Sequence, residues 1–157
     1  MTKSIVLSVN GREKTIFADP EEPLLYILRE EFGLNGPKFG CGLHQCGSCM
    51  VLSDGQANYT CRIPCSAFEG KKIETIEGLA QDEKLHPLQQ SFFDEQAAQC
   101  GYCLNGMLIN ALELLRKKTN PSEEEIRDVL HKVICRCGTH SRFIKAVKKA
   151  VDSRSKF

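Results

Sequence analysis

No run of apolar residues in this sequence approaches the length of a membrane span. The first residues, Met1–Gly11, offer no long hydrophobic stretch, no small-residue cleavage site and no twin arginine. The expectation is a cytoplasmic protein without a membrane span. Net charge is lacking as well: 21 Lys and Arg stand against 20 Asp and Glu. Neither the overall balance nor any helical stretch has the basic, base-reading character that nucleic acid requires. A Gly-x-Gly-x-x-Gly segment is also absent, so flavin or dinucleotide must be bound elsewhere. The hydrophobic fraction, 41%, still suffices for a core, and 157 residues permit one medium domain or two small ones.

Cysteine is what the chain has in excess. Eight of nine fall into two quartets, Cys41-x4-Cys46-x2-Cys49-x11-Cys61 and Cys100-x2-Cys103-x31-Cys135-x-Cys137. The first spacing is that of plant-type [2Fe–2S] sites, three close thiolates and a distant fourth. A disulfide framework fits poorly, because the count is odd and no secretion signal is seen. A four-cysteine zinc site is the nearer rival. The loop chemistry favours a cluster: Gly36, Gly40, Gly42 and Gly47 surround three ligands, and glycine lets the backbone curl closely around inorganic sulfide and aim N–H groups at it. His44 lies between the first two cysteines. Rieske sites replace two cysteines by histidine, and here all four are present, so His44 is expected beside the ligand set or at the surface. Cys65 is left over and reads as a small buried hydrophobe. Two clusters, one per quartet, make the chain a conductor of single electrons.

The first half reads as β-rich. Ile5, Leu7 and Val9 alternate with polar residues over Lys3–Val9, Asn10-Gly11 is a hairpin turn, and Lys14–Ala18 is the return strand. Leu24, Leu25, Ile27, Leu28 and Phe32 follow at helical spacing, with Gly33 as the stop. Met50–Ser53 and Gln56–Cys61 flank Asp54-Gly55 as a second hairpin, and Ile73–Ile76 is a last short strand. The second half reads as four helices. Their apolar stripes start from Leu88, Leu104, Ile126 and Phe143, and Ser122-x-x-Glu125 is a capping box for the third. Cys100 and Cys103 precede the second of these helices, and Cys135 and Cys137 lie between the third and fourth. Helix N-termini beside a cluster favour its negative charge. Arg142, Lys145, Lys148, Lys149, Arg154 and Lys156 crowd the C-terminus and read as a solvated face.

With both quartets placed, the chain resembles the small iron–sulfur subunits of the molybdenum hydroxylases, the xanthine dehydrogenase and aldehyde oxidase family, over almost its full length. Gly40-Cys41-Gly42-Leu43-His44-Gln45-Cys46-Gly47-Ser48-Cys49 carries the first motif and Gln99-Cys100-Gly101-Tyr102-Cys103-Leu104-Asn105-Gly106 the second. Cys135-Arg136-Cys137-Gly138-Thr139-His140 carries the third, with Lys132-Val133-Ile134 in place of the usual Gly-Asn. That departure is similar to isoquinoline 1-oxidoreductase and nicotinate hydroxylase small subunits. The resemblance implies an α+β architecture: an N-terminal β-grasp plant-type ferredoxin domain over residues 1–77, a linker over 78–84, and a C-terminal four-helix [2Fe–2S]-binding domain over 85–157. It implies no catalytic residues in this chain. A molybdopterin-binding large subunit oxidises an aromatic N-heterocycle, purine or aldehyde, and an FAD-binding subunit or a cytochrome lies downstream. It also implies that Gln99 and Cys137 contact the edge of the partner's molybdopterin cofactor. A stand-alone two-cluster carrier is the alternative, against which the helical half with its own quartet argues.

Overall fold

The alternation of Ile5, Leu7 and Val9 becomes strand β1 (Lys3–Val9), with those three side chains buried, in the computed structural model, which describes residues 1–82 and 84–153. Strand β2 (Arg12–Ala18) returns antiparallel in a register from Lys3↔Ala18 to Val9↔Arg12. Between them Asn10 and Gly11 take φ values of 51° and 76°, the left-handed pair that a tight hairpin turn demands. Strands β3 (Val51–Ser53) and β4 (Gln56–Asn58) form the second hairpin, and β5 (Lys72–Glu74) runs parallel to β1, giving the order β2-β1-β5-β3-β4. Helix α1 (Leu24–Glu30) lays Leu24, Ile27 and Leu28 on Ile5, Leu7, Ile16 and Ile73 of the sheet.

Among the boundaries that differ from the sequence pattern, three have a local cause. The return strand starts at Arg12 rather than Lys14 because the two-residue turn keeps every residue beyond it in register. β4 stops at Asn58, short of Cys61. There the Thr60 carbonyl accepts from Leu25 N–H at 3.2 Å, and the Thr60 hydroxyl donates to the Cys49 carbonyl at 2.6 Å. These bonds turn the chain inward. β5 ends at Glu74, since Ile76–Leu79 coils into a 3₁₀ turn.

The helical half consists of α2 (Pro87–Asp94), α3 (Leu104–Lys117), α4 (Glu123–Leu130) and α5 (His140–Asp152). Ser122 and Glu125 exchange the two bonds of a capping box at α4, at 3.2 and 2.8 Å. At α2 a histidine takes that role: His86 Nδ1 accepts from Leu88 N–H at 3.2 Å, while Gln89 Oε1 accepts from His86 N–H at 3.0 Å.

The halves share a core. Met50, just ahead of β3, and Leu52 of β3 are buried in the same cluster as Met107, Leu108, Ala111 and Phe143 from the helices. Arg116 of α3 grips the Glu74 carboxylate of β5 with two N–H groups, at 2.7 and 2.8 Å. Within the expected 78–84 linker Leu79 is buried and Gln81 pairs with Lys84. Glu83 of that linker, and residues 154–157 with Arg154 and Lys156, lie outside the described residues. No described helix is long and apolar enough to cross a membrane.

Candidate metal centres

The first cysteine set grows out of the loop that leaves α1. Gly42 and Gly47 hold φ values of 63° and 77° there, and His44 shares the left-handed region at 57°. This curl turns main-chain N–H groups onto sulfur. Cys41 Sγ accepts from the N–H groups of Leu43, Gln45 and Cys46, each at 3.3 Å, and Cys46 Sγ accepts from Cys41 N–H at 3.3 Å. Burial pushes the Cys41 thiol up, and the three donors outweigh it, holding the group down at about 7. Cys49 and Cys61 form the inner side, both buried against Leu25. Burial pushes the Cys49 thiol up to about 11 despite a donor at Thr60 N–H. One side of the site therefore faces partial exposure with thiolate-stabilising donors, and the other side is dry.

The second set is built at helix ends. Cys103 is the N-cap residue of α3, and Cys135 and Cys137 lie in the turn before α5, so two helix N-termini face the same place. Cys103 is buried, and burial pushes its thiol up to about 12, with a bond to Cys135 acting in the same direction. Cys100 is exposed, and the N–H of Tyr102 holds its thiol below the ordinary range. Gly101 and Gly138, at φ 78° and 75°, make the two tight bends.

Cys41 and Cys46 each accept the other's main-chain N–H on sulfur, Cys49 and Cys61 are buried together, and Cys100 with Cys137 and Cys103 with Cys135 shift one another's thiols. A two-iron cluster takes two thiolates at each iron, and two pairs per site with converging N–H donors suit that group.

The two sites are close neighbours. Ile134 N–H donates to the Cys46 carbonyl at 3.0 Å, so residues adjoining one set bond residues of the other. Asn105 Nδ2 donates to the carbonyls of Ser48 and Met50 at 3.0 and 2.8 Å. Gly106 lies so near that a Cβ there would strike the Gly47 carbonyl, 2.9 Å from its carbon and closer still to its oxygen. A crevice of about 330 Å³ runs between the sets, lined by Cys46, Cys100, Cys103 and Cys135 together with Tyr102, Ile134 and Arg136. Tyr102 bridges the halves by donating its hydroxyl to the Phe39 carbonyl.

The remaining sequence-level expectations fall in definite places. Gln99 and Cys137 line one open recess with Thr139 and Arg142. His44 does not join the thiol pairs; its ring stacks on Tyr59 at 5.3 Å and 15°. Cys65 is fully buried and donates its thiol toward the Asp19 carbonyl at 3.4 Å. Sequence reasoning quoted Asn105 only as part of the second motif and passed over Asn110; both are buried on α3. Their signal was a polar residue on an otherwise apolar helical stripe.

Two family models match. A 2Fe-2S iron-sulfur cluster binding domain covers residues 7–78, and a [2Fe-2S] binding domain covers residues 75–148. The chain is 49% identical over 156 residues to one of the subunits of nicotinate dehydrogenase from Pseudomonas putida KT2440, covering 99% of each. It is 41% identical over 143 residues to the alpha chain of isoquinoline 1-oxidoreductase from Brevundimonas diminuta, covering 90% of this chain and 93% of that one. Among solved structures, quinoline 2-oxidoreductase from Pseudomonas putida 86 superposes with a TM-score of 0.93 at 37% identity, over 99% of this chain and 97% of the other.

Proposed function

Because this chain belongs to the small iron–sulfur subunits of the molybdenum hydroxylases, the xanthine dehydrogenase and aldehyde oxidase family, we propose that it holds two [2Fe–2S] clusters and conducts electrons away from a molybdopterin-binding large subunit. Cys41, Cys46, Cys49 and Cys61 are the ligands of the first cluster, and Cys100, Cys103, Cys135 and Cys137 those of the second. The observation that carries this reading is the gathering of the eight cysteines into two neighbouring sets, with main-chain N–H groups turned onto the sulfurs of Cys41 and Cys46 and with Cys46, Cys100, Cys103 and Cys135 on one crevice. When bound, each cluster takes up and releases a single electron, which matches a two-electron oxidation in the partner to one-electron steps.

The chain's own residues hold and tune. The N–H groups of Leu43, Gln45 and Cys46 support negative charge at Cys41, and the N-termini of α3 and α5 do so at the second site. Cys49 and Cys61 keep water from the inner side of the first site. Gln99 is exposed beside Cys137, and its amide both donates and accepts, which suits the hydrogen-bonding edge of a pterin. The substrate class is an aromatic N-heterocycle, the class for which the nicotinate, isoquinoline and quinoline enzymes are named. A downstream FAD-binding subunit or cytochrome takes the electrons, in the cytoplasm. Residues 1–77 and 85–157 are the two cluster-bearing domains.

The test is chemical. The chain reconstituted anaerobically should contain about four irons and four sulfides, and co-expression should recover it with a molybdenum-bearing subunit. A colourless, zinc-filled chain would sink the reading. Within the complex, Gln99→Ala removes a contact of about 1–3 kcal/mol. Substrate is then expected to reduce the second cluster more slowly, with the first cluster's spectrum unchanged. Rapid-freeze spectroscopy showing the first cluster reduced before the second, at an unaltered rate, would end the proposed direction of flow.

A further inference from the structure

The crevice between the two thiol sets has charge of one sign. Residues 36–50, 96–112 and 129–151, which carry seven of the eight thiols of the two sets, contain no aspartate or glutamate, although the chain has 20. Arg136 sits between two thiols of the second set, is exposed, and lines the crevice beside Cys46, Cys100, Cys103 and Cys135. Four other arginines are tied down, Arg29 to the Pro37 carbonyl, Arg116 to Glu74, Arg127 to Glu123 and Arg142 to the Gln96 carbonyl, and neither Arg12 nor Arg62 lines the crevice. Among the described residues Arg136 has neither an ion pair nor a hydrogen bond.

A guanidinium keeps its charge at every accessible pH. Four thiolates around two irons carry net negative charge, and each electron added makes it more negative. A nearby fixed cation therefore favours the reduced state, and its pull falls with distance. Net charge is one of the variables that set the potential of such clusters. Arg136 adjoins Cys135 and Cys137 in sequence, so the second site feels it most.

We propose that Arg136 is a potential-setting residue: its unpaired guanidinium makes the second cluster accept an electron more readily than its thiolates alone allow. The inference rests on the reading that the Cys100–Cys137 set carries a [2Fe–2S] cluster. A purely structural arginine, or one kept to grip a partner's carboxylate, would leave the potential of the unpartnered chain unchanged.

The experiment is a redox titration of the full, cluster-loaded chain followed by electron paramagnetic resonance, for the parent, Arg136→Gln and Arg136→Lys. At a fixed ambient potential near the parent's midpoint, the reduced-to-oxidised ratio of the second cluster is expected to fall about fivefold in Arg136→Gln. Arg136→Lys should stay within about twofold of the parent, and the first cluster should move less than the second. Raising the salt should shrink the gap between parent and Arg136→Gln, since an exposed charge is screened. A fully loaded Arg136→Gln chain that titrates like the parent overturns the inference. If that variant does not load, the parent decides it: a second-cluster titration that ignores ionic strength overturns it too. A parent chain that never binds the second cluster refutes the ligand reading instead, and the two failures are distinct.

Discussion

Cys46→Ser is expected to abolish the first cluster's spectrum and leave the second's in place, and Cys103→Ser to do the reverse. The thiols recorded as acting on Cys41 and on Cys103 belong to their own sets, Cys46 in one case and Cys135 and Cys100 in the other. The link between the sites at Cys46 runs through its backbone carbonyl, which accepts from Ile134 N–H and survives the change to serine. At position 103 serine is itself a favoured N-cap, so α3 keeps its start while losing a ligand. Asn105 and Gly106, which support the first loop, are untouched. Bound iron should drop by about half in either variant, with the far-ultraviolet circular dichroism of the parent. If one substitution erased both spectra in a chain that stayed folded, the two sets would form a single loading unit and the assignment of separate sites would fall.

The gathering of eight cysteines into two sets was legible in the sequence because cluster binding constrains both residue type and spacing. The same holds for the hairpin at Asn10-Gly11 and the cap at Ser122, where the signal is local and the physics is the geometry of a few dihedral angles. Pairing within each quartet was not legible. Spacing alone does not say that Cys41 meets Cys46 while Cys49 meets Cys61. That depends on Thr60 turning the chain inward after β4, through bonds to Leu25 and Cys49 that are distant in sequence.

The seating of one half on the other was hidden for a related reason. Patterning separates a sheet from a helical bundle, and the polar stretch over 78–84 reads as a spacer between them. What joins the halves is a set of long-range contacts: Met50 and Leu52 in the helical core, Asn105 on the carbonyls of Ser48 and Met50, and Arg116 on Glu74. Their consequence for function is a fixed separation of the two thiol sets. Tunnelling between redox centres depends steeply on distance, so a chain that carries electrons gains from a short, rigid spacing. The crevice wall from Cys46 through Ile134 to Cys135 is that spacing, and the Ile134 N–H bond to the Cys46 carbonyl adds to the contacts that hold it.

Gly106→Ala is the sharpest test of how tightly the halves are pressed together, because propensity and packing predict opposite signs. Within a helix, alanine is ordinarily better than glycine by about 1 kcal/mol, through the smaller backbone entropy lost on folding. Here the added methyl would collide with the Gly47 carbonyl oxygen and stand 3.1 Å from Val133 Cγ1. The first of these is main chain, in a residue already held at φ 77°, and has no rotamer by which to escape. Overpacking of this kind costs about 1–3 kcal/mol, more when backbone has to move. The expected net result is a loss of about 1–2 kcal/mol after the propensity gain is set against it. The displaced segment is Gly47–Cys49, so the first cluster's resonance should broaden while the second's keeps its shape. Denaturant titration and paramagnetic resonance on the same cluster-loaded sample read the two effects together. A variant at least as stable as the parent, with both resonances unchanged, would mean that helix propensity outweighs the contact and that the first loop is free to yield where the structure presses it against α3.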